Sequence, residues 1–133
     1  MKNESKESKK KKRENKPKPV KKPHFNIDES WNVIKIEHCF ECPIFAVKSQ
    51  EIFNILCENF PRNKIRLLCN ESHIDGSRIE PRLGAFEISF AKSYRETFHL
   101  IWSGIEKGPP RREKFPSNVD DLVRQITKIL VNI

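Results

Sequence analysis

Cys39 and Cys42 are separated by two residues in His38-Cys39-Phe40-Glu41-Cys42. Two thiols at that spacing can exchange electrons through a small disulfide ring or chelate a metal ion. In the redox reading the thiolate is the nucleophile, and its population at neutral pH depends on lowering a pKa that starts near about 8.5. Three neighbours bear on it. A helix beginning after Pro43 would aim its positive N-terminal end at the pair and favour a thiolate. His38 is adjacent in sequence, although strand alternation turns neighbouring side chains to opposite faces. Glu41 acts in the other direction, because a carboxylate disfavours a nearby negative charge.

The metal reading needs more ligands. Cys69 and His73 would complete a Cys₃His set with Cys39 and Cys42. The 26 residues between Cys42 and Cys69 hold a helix and a strand, too much for a small zinc finger. The far end of that second strand is expected to lie away from the paired cysteines, so we expect no metal site. Cys57, beside Phe53, Leu56 and Phe60, is expected in the core as a small hydrophobe. Cys69 shares a strand face with Ile65 and Leu67 and is read the same way. His24 and His99 have no evident partner, and His99 falls with Ile101 on the outward side of its strand. No Ser/His/Asp arrangement or phosphate-cradling glycine loop is present.

The elements that must position the pair follow from periodicity. Residues 31–38 are rich in β-branched side chains and read as a strand. Phe45, Ile52, Phe53, Leu56 and Phe60 recur at helical spacing until Pro61 stops the run. Residues 64–69 read as a second strand. A strand-helix-strand unit implies parallel pairing through a right-handed crossover. Residues 71–84 form a long polar loop. Phe86, Ile88 and Phe90 alternate with polar residues, as do Phe98, Leu100 and Trp102, and the short connection over 91–96 predicts an antiparallel hairpin. Ser117, with Asp120 three residues on, is expected to cap a final helix. Val119, Leu122, Val123, Ile126, Ile129, Leu130 and Ile133 form its apolar stripe. The order is β-α-β-β-β-α. With a cysteine pair after the first strand, this is a thioredoxin-like α/β arrangement, in which the first cysteine, Cys39, would ordinarily attack and Cys42 resolve. Pro81 is a candidate for the cis-proline that such folds place near the thiols.

The chain of 133 residues supports one domain, expected over 29–133 behind a disordered Lys/Pro-rich basic tail over 1–28. The net charge of +8 belongs to that tail: residues 1–23 hold ten lysines and one arginine against three glutamates. The remainder balances 15 basic against 15 acidic residues, so the folded part is near neutral. Lys9, Lys10, Lys11, Lys12 and Arg13, followed by Lys16, Lys18, Lys21 and Lys22, have the composition of a nuclear localisation signal or a nucleic-acid tether. Without aromatics for stacking, binding to DNA or RNA would be electrostatic and salt-dependent. The opening residues lack an apolar core for a secretory signal, and no apolar run approaches the roughly 20 residues of a membrane span. We therefore expect a reducing compartment, in which paired cysteines are more often catalytic or metal-binding than structural. Residues 104–116 combine Pro109 and Pro110 with Lys107, Arg111 and Arg112. That loop is either a stiff connection or a partner surface.

Two stretches resemble the selenoprotein H branch of the Rdx family of thioredoxin-like selenoproteins. One is Ile36-Glu37-His38-Cys39-Phe40-Glu41-Cys42. The other is Ile101-Trp102-Ser103-Gly104-Ile105-Glu106-Lys107-Gly108-Pro109-Pro110-Arg111-Arg112-Glu113-Lys114-Phe115-Pro116. The intervening segment Pro81-Arg82-Leu83-Gly84-Ala85-Phe86-Glu87-Ile88 resembles the family's Gly-x-Phe-Glu-Val strand. Cys42 stands where the family carries selenocysteine. The resemblance therefore implies that Cys42 attacks a peroxide or disulfide and Cys39 resolves, with His38 as a modulator. It also implies oxidoreductase activity with glutathione or thioredoxin as reductant, no bound cofactor, and a weak glutathione peroxidase-like activity, slower than that of a selenoenzyme. A monomer in the nucleus or nucleolus is expected, with the cytoplasm as the alternative location and DNA or RNA as a tail-bound partner. The rival reading is a nucleic-acid or chromatin-associated binding module whose cysteines only sense redox state.

Overall fold

The computed structural model describes residues 27–40 and 42–131, so the basic tail over 1–26, Glu41, and Asn132 and Ile133 at the end of the expected apolar stripe lie outside the described residues. The β-branched run becomes β1 (Asn32–His38). It is followed by α1 (Ile44–Asn59), β2 (Ile65–Cys69), β3 (Phe86–Ala91), β4 (His99–Ser103), a 3-10 turn (Arg111–Lys114) and α2 (Val119–Val131). The sheet order is β2-β1-β3-β4. β1 pairs parallel to β2 and antiparallel to β3, and β3 pairs antiparallel to β4. This is the expected thioredoxin-like α/β order.

Both helices cover one face. Ile34 and Ile36 of β1 and Phe86, Ile88 and Phe90 of β3 meet Phe45, Ile52 and Leu56 of α1 and Leu122 and Ile126 of α2 in one buried cluster. The other face is covered mainly by loops. Val33 and Leu68 pack there with Ile27, and Tyr94 and Phe98 lie against them. Ile27 was expected in the tail, yet it is buried, so packed structure starts before residue 29.

Two local expectations change. β4 does not alternate as its sequence suggests. Ile88 faces Trp102 while Ser89 faces Leu100, so the register shifts at a bulge around Ile101. One extra residue reverses the side-chain alternation. Ile101 is buried and Leu100 is left 58% exposed, opposite to the reading that put Ile101 outward. Gln125 of α2 holds the bulge by donating from Nε2 to the Ile101 carbonyl (3.0 Å). The cap of α2 is Asn118 rather than Ser117, its Oδ1 accepting from the Asp120 N–H (3.0 Å). That is the geometry of an N-cap side chain on the second helical residue.

The end of β1 is fixed by Asn70, the residue after β2. Its φ of 53° lies in the left-handed region, which asparagine tolerates better than most residues. In that conformation its Oδ1 accepts from the His38 N–H (2.9 Å) and its Nδ2 donates to the His38 carbonyl (3.1 Å). Its own N–H donates to the Ile36 carbonyl (2.9 Å). Asn70→Ala should cost on the order of 3–5 kcal/mol in urea unfolding, since it strands two buried main-chain groups and puts a β-carbon on a left-handed residue. Asn70→Gly should recover about 1 kcal/mol of that by relieving the backbone. An alanine variant as stable as wild type would show that the clamp carries no weight.

Candidate active site

Cys39 follows the clamped His38. Its N–H donates to the Ala85 carbonyl (3.0 Å), which ties it to the residue preceding β3. Its side chain joins the helix-side core and is only 4% exposed. Cys42 is half-buried and lies at the entrance of α1, where its carbonyl accepts from the Phe45 N–H (3.2 Å). Pro43 supplies the first helical backbone angles, with φ −58°, and the first turn of α1 holds no acidic residue. The positive end of the helix dipole therefore meets no first-turn carboxylate. Within the motif the second cysteine is the accessible one.

His38 is buried at the same corner. Its Nδ1 lies 3.3 Å from the Cys39 carbonyl. A carbonyl only accepts, so the contact places the proton on Nδ1. The ring meets Phe40 edge-on, with centroids 6.0 Å apart. The imidazole thus touches the main chain and the aromatic ring of the motif.

Cys69 is not remote from the pair. Because β1 and β2 are parallel, their C-terminal ends lie side by side, with Ile36 opposite Cys69. Cys69 lines a cavity of about 320 Å³ together with His38, Phe40, Asn70, Glu71 and Arg78. It also packs against the helix-side core, as Ile65 and Leu67 suggested. Burial, with Glu71 adding to it, pushes its thiol up to about 11. Burial also raises Cys57. His73 is engaged elsewhere: its Nδ1 accepts from the Lys35 ammonium (3.2 Å) and its ring lies tilted against Phe98, with centroids 4.5 Å apart. The described residues hold no group of three or more His, Cys, Asp or Glu side chains placed to share a metal ion.

The 104–116 loop leaves β4 at this same end of the sheet. Glu87, buried on β3, anchors its start, accepting from Ser103 Oγ (2.6 Å), the Gly104 N–H (2.9 Å) and the Ile105 N–H (3.0 Å). Trp102 Nε1 donates to the Lys114 carbonyl (2.8 Å), and Lys114 Nζ reaches back to the Ile105 carbonyl (3.1 Å). A β-carbon on Gly104 would overlap the Lys114 carbonyl, so glycine is required at that crossing. Phe115 then inserts between Phe45 and Phe86, at 5.4 and 4.9 Å. Lys107, Arg111 and Arg112 are exposed on the loop. The Arg111 guanidinium lies 6.0 Å from the Phe45 ring, on the first turn of α1.

The lysines and Arg13 of the tail, and His24, lie outside the described residues. Pro81 does not supply the expected cis bond: among the described residues the cis peptide bonds are Gly108-Pro109 and Pro109-Pro110. Sequence reasoning missed Asn70, Glu87 and Lys114. Asn70 carried a usable signal, an asparagine directly after a strand. Glu87 looked like an ordinary outward residue of an alternating strand.

The class is thus a thioredoxin-like α/β domain with a cysteine pair at the entrance of its first helix. The chain is 31% identical over 106 residues to Selenoprotein BthD of Drosophila melanogaster, covering 78% of this chain and 39% of that protein. It is 30% identical over 97 residues to Selenoprotein H of Mus musculus, covering 73% of this chain and 74% of that protein. Against Selenoprotein H of Homo sapiens the identity is 29% over 97 residues, with 73% and 70% covered. The match thus spans about two fifths of the fly protein and about three quarters of the mouse one. No family model and no solved structure matches. The chain belongs to the selenoprotein H group of the Rdx family, a redox-related family.

The elevated Cys69 thiol gives a pH prediction. Its folded pKa of about 11 lies above that of an ordinary exposed thiol, so unfolded chains ionise first and native stability falls as pH rises from about 9 toward 11. Iodoacetamide labelling of native protein, mapped by mass spectrometry, should leave Cys69 a minor site near pH 8 and rise through about 11. Labelling of Cys69 with a midpoint at or below 9.0 would contradict this environment.

Proposed function

We propose that this protein is a thiol oxidoreductase in which Cys42 is the attacking thiol and Cys39 the resolving one. The observation that carries the assignment is the exposure asymmetry: Cys39 is buried and Cys42 half-buried at the start of α1. A nucleophile must be reached by its substrate, whereas a resolving thiol needs only to reach its partner three positions along the chain. The asymmetry agrees with the selenocysteine position implied by the family resemblance, and it opposes the ordinary thioredoxin-like order.

In the reaction the Cys42 thiolate attacks one sulfur of a disulfide. The S–S bond breaks and one thiolate leaves. Cys39 then attacks the Cys42 sulfur, giving up its proton as the second thiolate departs, and a Cys39–Cys42 disulfide forms. A peroxide follows the same path through a Cys42 sulfenic acid, with an alcohol or water as the first leaving product and water as the second. Glutathione or a thioredoxin-type dithiol returns two electrons and two protons to close the cycle, with no bound cofactor. Sulfur in place of selenium makes the peroxidase branch the weaker one. His38 modulates the pair through the Cys39 main chain and Phe40.

The charge of the tail adds location and a partner. Ten lysines and one arginine over residues 1–23 suit nuclear import and electrostatic association with DNA or RNA. The rival reading, a binding module with redox-sensing cysteines only, shares the tail but requires no turnover.

Cys39→Ser protein treated with an equivalent of disulfide should accumulate an adduct on Cys42 in an intact-mass measurement, and Cys42→Ser should lose turnover. Trapping on Cys39 in the Cys42→Ser protein instead would reverse the roles. Removing residues 1–23 should abolish nuclear accumulation and salt-sensitive retention on DNA or RNA, while leaving disulfide turnover intact. Unchanged retention by the truncated chain would place nucleic-acid binding elsewhere or nowhere.

A further inference from the structure

The two sequence stretches that set this chain apart lie far apart in sequence and are brought to one corner of the fold. The cysteine pair ends at the first turn of α1, and the 104–116 loop packs on that turn through Phe115 and Arg111. Where the loop meets that turn is an open cavity of about 450 Å³, lined by Phe45, Ile105, Glu106, Lys107, Pro109, Arg111 and Lys114. That volume is in the range of a small-molecule site. Phe45, which forms its wall, is hydrogen-bonded through its N–H to the Cys42 carbonyl.

The cavity is cationic. Each basic group is held at its stem or head without a carboxylate. The Lys107 ammonium lies 5.4 Å from the Trp102 ring centre, the Arg111 guanidinium 6.0 Å from that of Phe45, and Lys114 Nζ donates to the Ile105 carbonyl. Among the described residues, none of the three forms an ion pair with an acidic side chain. Glu106 offsets one of three charges. Three convergent cations beside an apolar wall of Phe45, Ile105 and Pro109 match a compact ligand with an apolar body and carboxylate groups.

We propose that this loop is the specificity wall of the thiol site, and that it selects small disulfides bearing carboxylates. Lys107 and Arg111 hold a carboxylate while the disulfide sulfur reaches Cys42; Lys114, tied to the loop's own carbonyls, shapes the cavity. The inference rests on Cys42 being the attacking thiol. In the selected step the Cys42 thiolate forms a new S–S bond, the substrate S–S bond breaks, and one carboxylate-bearing thiolate leaves.

The test uses full-length reduced protein and two aromatic disulfides of similar size, the dianionic bis(carboxynitrophenyl) disulfide and the uncharged dipyridyl disulfide. The rate of thiol release is followed by absorbance at neutral pH, and the modified cysteine is mapped by mass spectrometry. Lys107→Glu/Arg111→Glu should slow the dianionic reagent at Cys42 roughly tenfold, equivalent to about 1.4 kcal/mol, and leave the uncharged reagent within about twofold. Arg62→Glu/Lys64→Glu, in the turn at the opposite end of α1, changes the net charge by the same amount and should leave the ratio unchanged. Raising ionic strength from about 0.01 to about 1 M, which shortens the screening length from about 30 to about 3 Å, should erase the wild-type preference. If Cys42 reacts with both reagents and the double variant keeps the wild-type ratio, the specificity wall is wrong while the thiol assignment stands. If Cys42 reacts with neither, the thiol assignment falls and this inference falls with it.

Discussion

The parallel pairing of β1 with β2 is the constraint on which the rest depends. A strand-helix-strand unit returns the chain so that both strands end on the same edge of the sheet, and the register sets Ile36 beside Cys69. The next residue, Asn70, can then turn back and bond both main-chain groups of His38. β3 begins at that edge and β4 ends at it, because each pairs antiparallel to the strand before it in the sheet. Four chain segments converge there as a result. They are the cysteine pair, the residues after β2, Ala85 ahead of β3, and the loop after β4. In open α/β sheets ligands gather at the carboxyl ends of strands, and this molecule puts its thiols at such an edge.

Burial sorts the four cysteines into different chemistry. Cys57 and Cys69 pack against the helix-side core, and desolvation raises both thiols. A raised pKa keeps them protonated at neutral pH, which makes them poor nucleophiles despite the closeness of Cys69 to the motif. Cys42 lies at the helix entrance with no first-turn carboxylate. The loop-covered face of the sheet handles its charges separately. Arg82 donates from Nη2 to one oxygen of Glu37 (2.8 Å) and from its main-chain N–H to the other (2.7 Å), holding that carboxyl below the usual range. Lys35 is pulled below its ordinary range by burial and finds the His73 ring as acceptor. Glu37 pairs directly across the sheet from Glu87, so Arg82, 3.8 Å from the Glu87 carboxylate, stands between two like charges.

Much of the fold was legible because its elements are strongly periodic. The β-branched run of β1, the helical spacing of Phe45, Ile52 and Leu56, and the stripe of α2 from Val119 to Leu130 each turn toward the core the side chains their period selects. The failures share a cause. A bulge at Ile101 cannot be read from alternation, since one extra residue swaps the faces and hides a valid pattern behind a wrong one. Asn118 and Ser117 are both good caps by composition, and only the chain's approach to α2 decides between them. Cys69 was placed far from the thiols although the inferred parallel pairing already put both strand ends on one edge. The motif residues were legible as a pair; their unequal exposure was not, because it depends on Ala85 drawing Cys39 into the core.

The 104–116 loop explains why a local motif is insufficient to define this site. Its conformation is secured from three directions at once: Glu87 gathers its first N–H groups, Trp102 and Lys114 cross-link its two ends, and Phe115 inserts into the helix-side core. Such a loop gives its cations fixed positions, whereas lysines on a flexible loop would spend interaction energy on ordering themselves. Phe115 and Arg111 both rest on Phe45, and the Phe45 N–H is bonded to the Cys42 carbonyl. Loop and thiol therefore share one rigid support, the first turn of α1. A basic patch anywhere else on the surface would only attract anions, but one built on the same helical turn as the thiol can set where an anionic substrate places its sulfur.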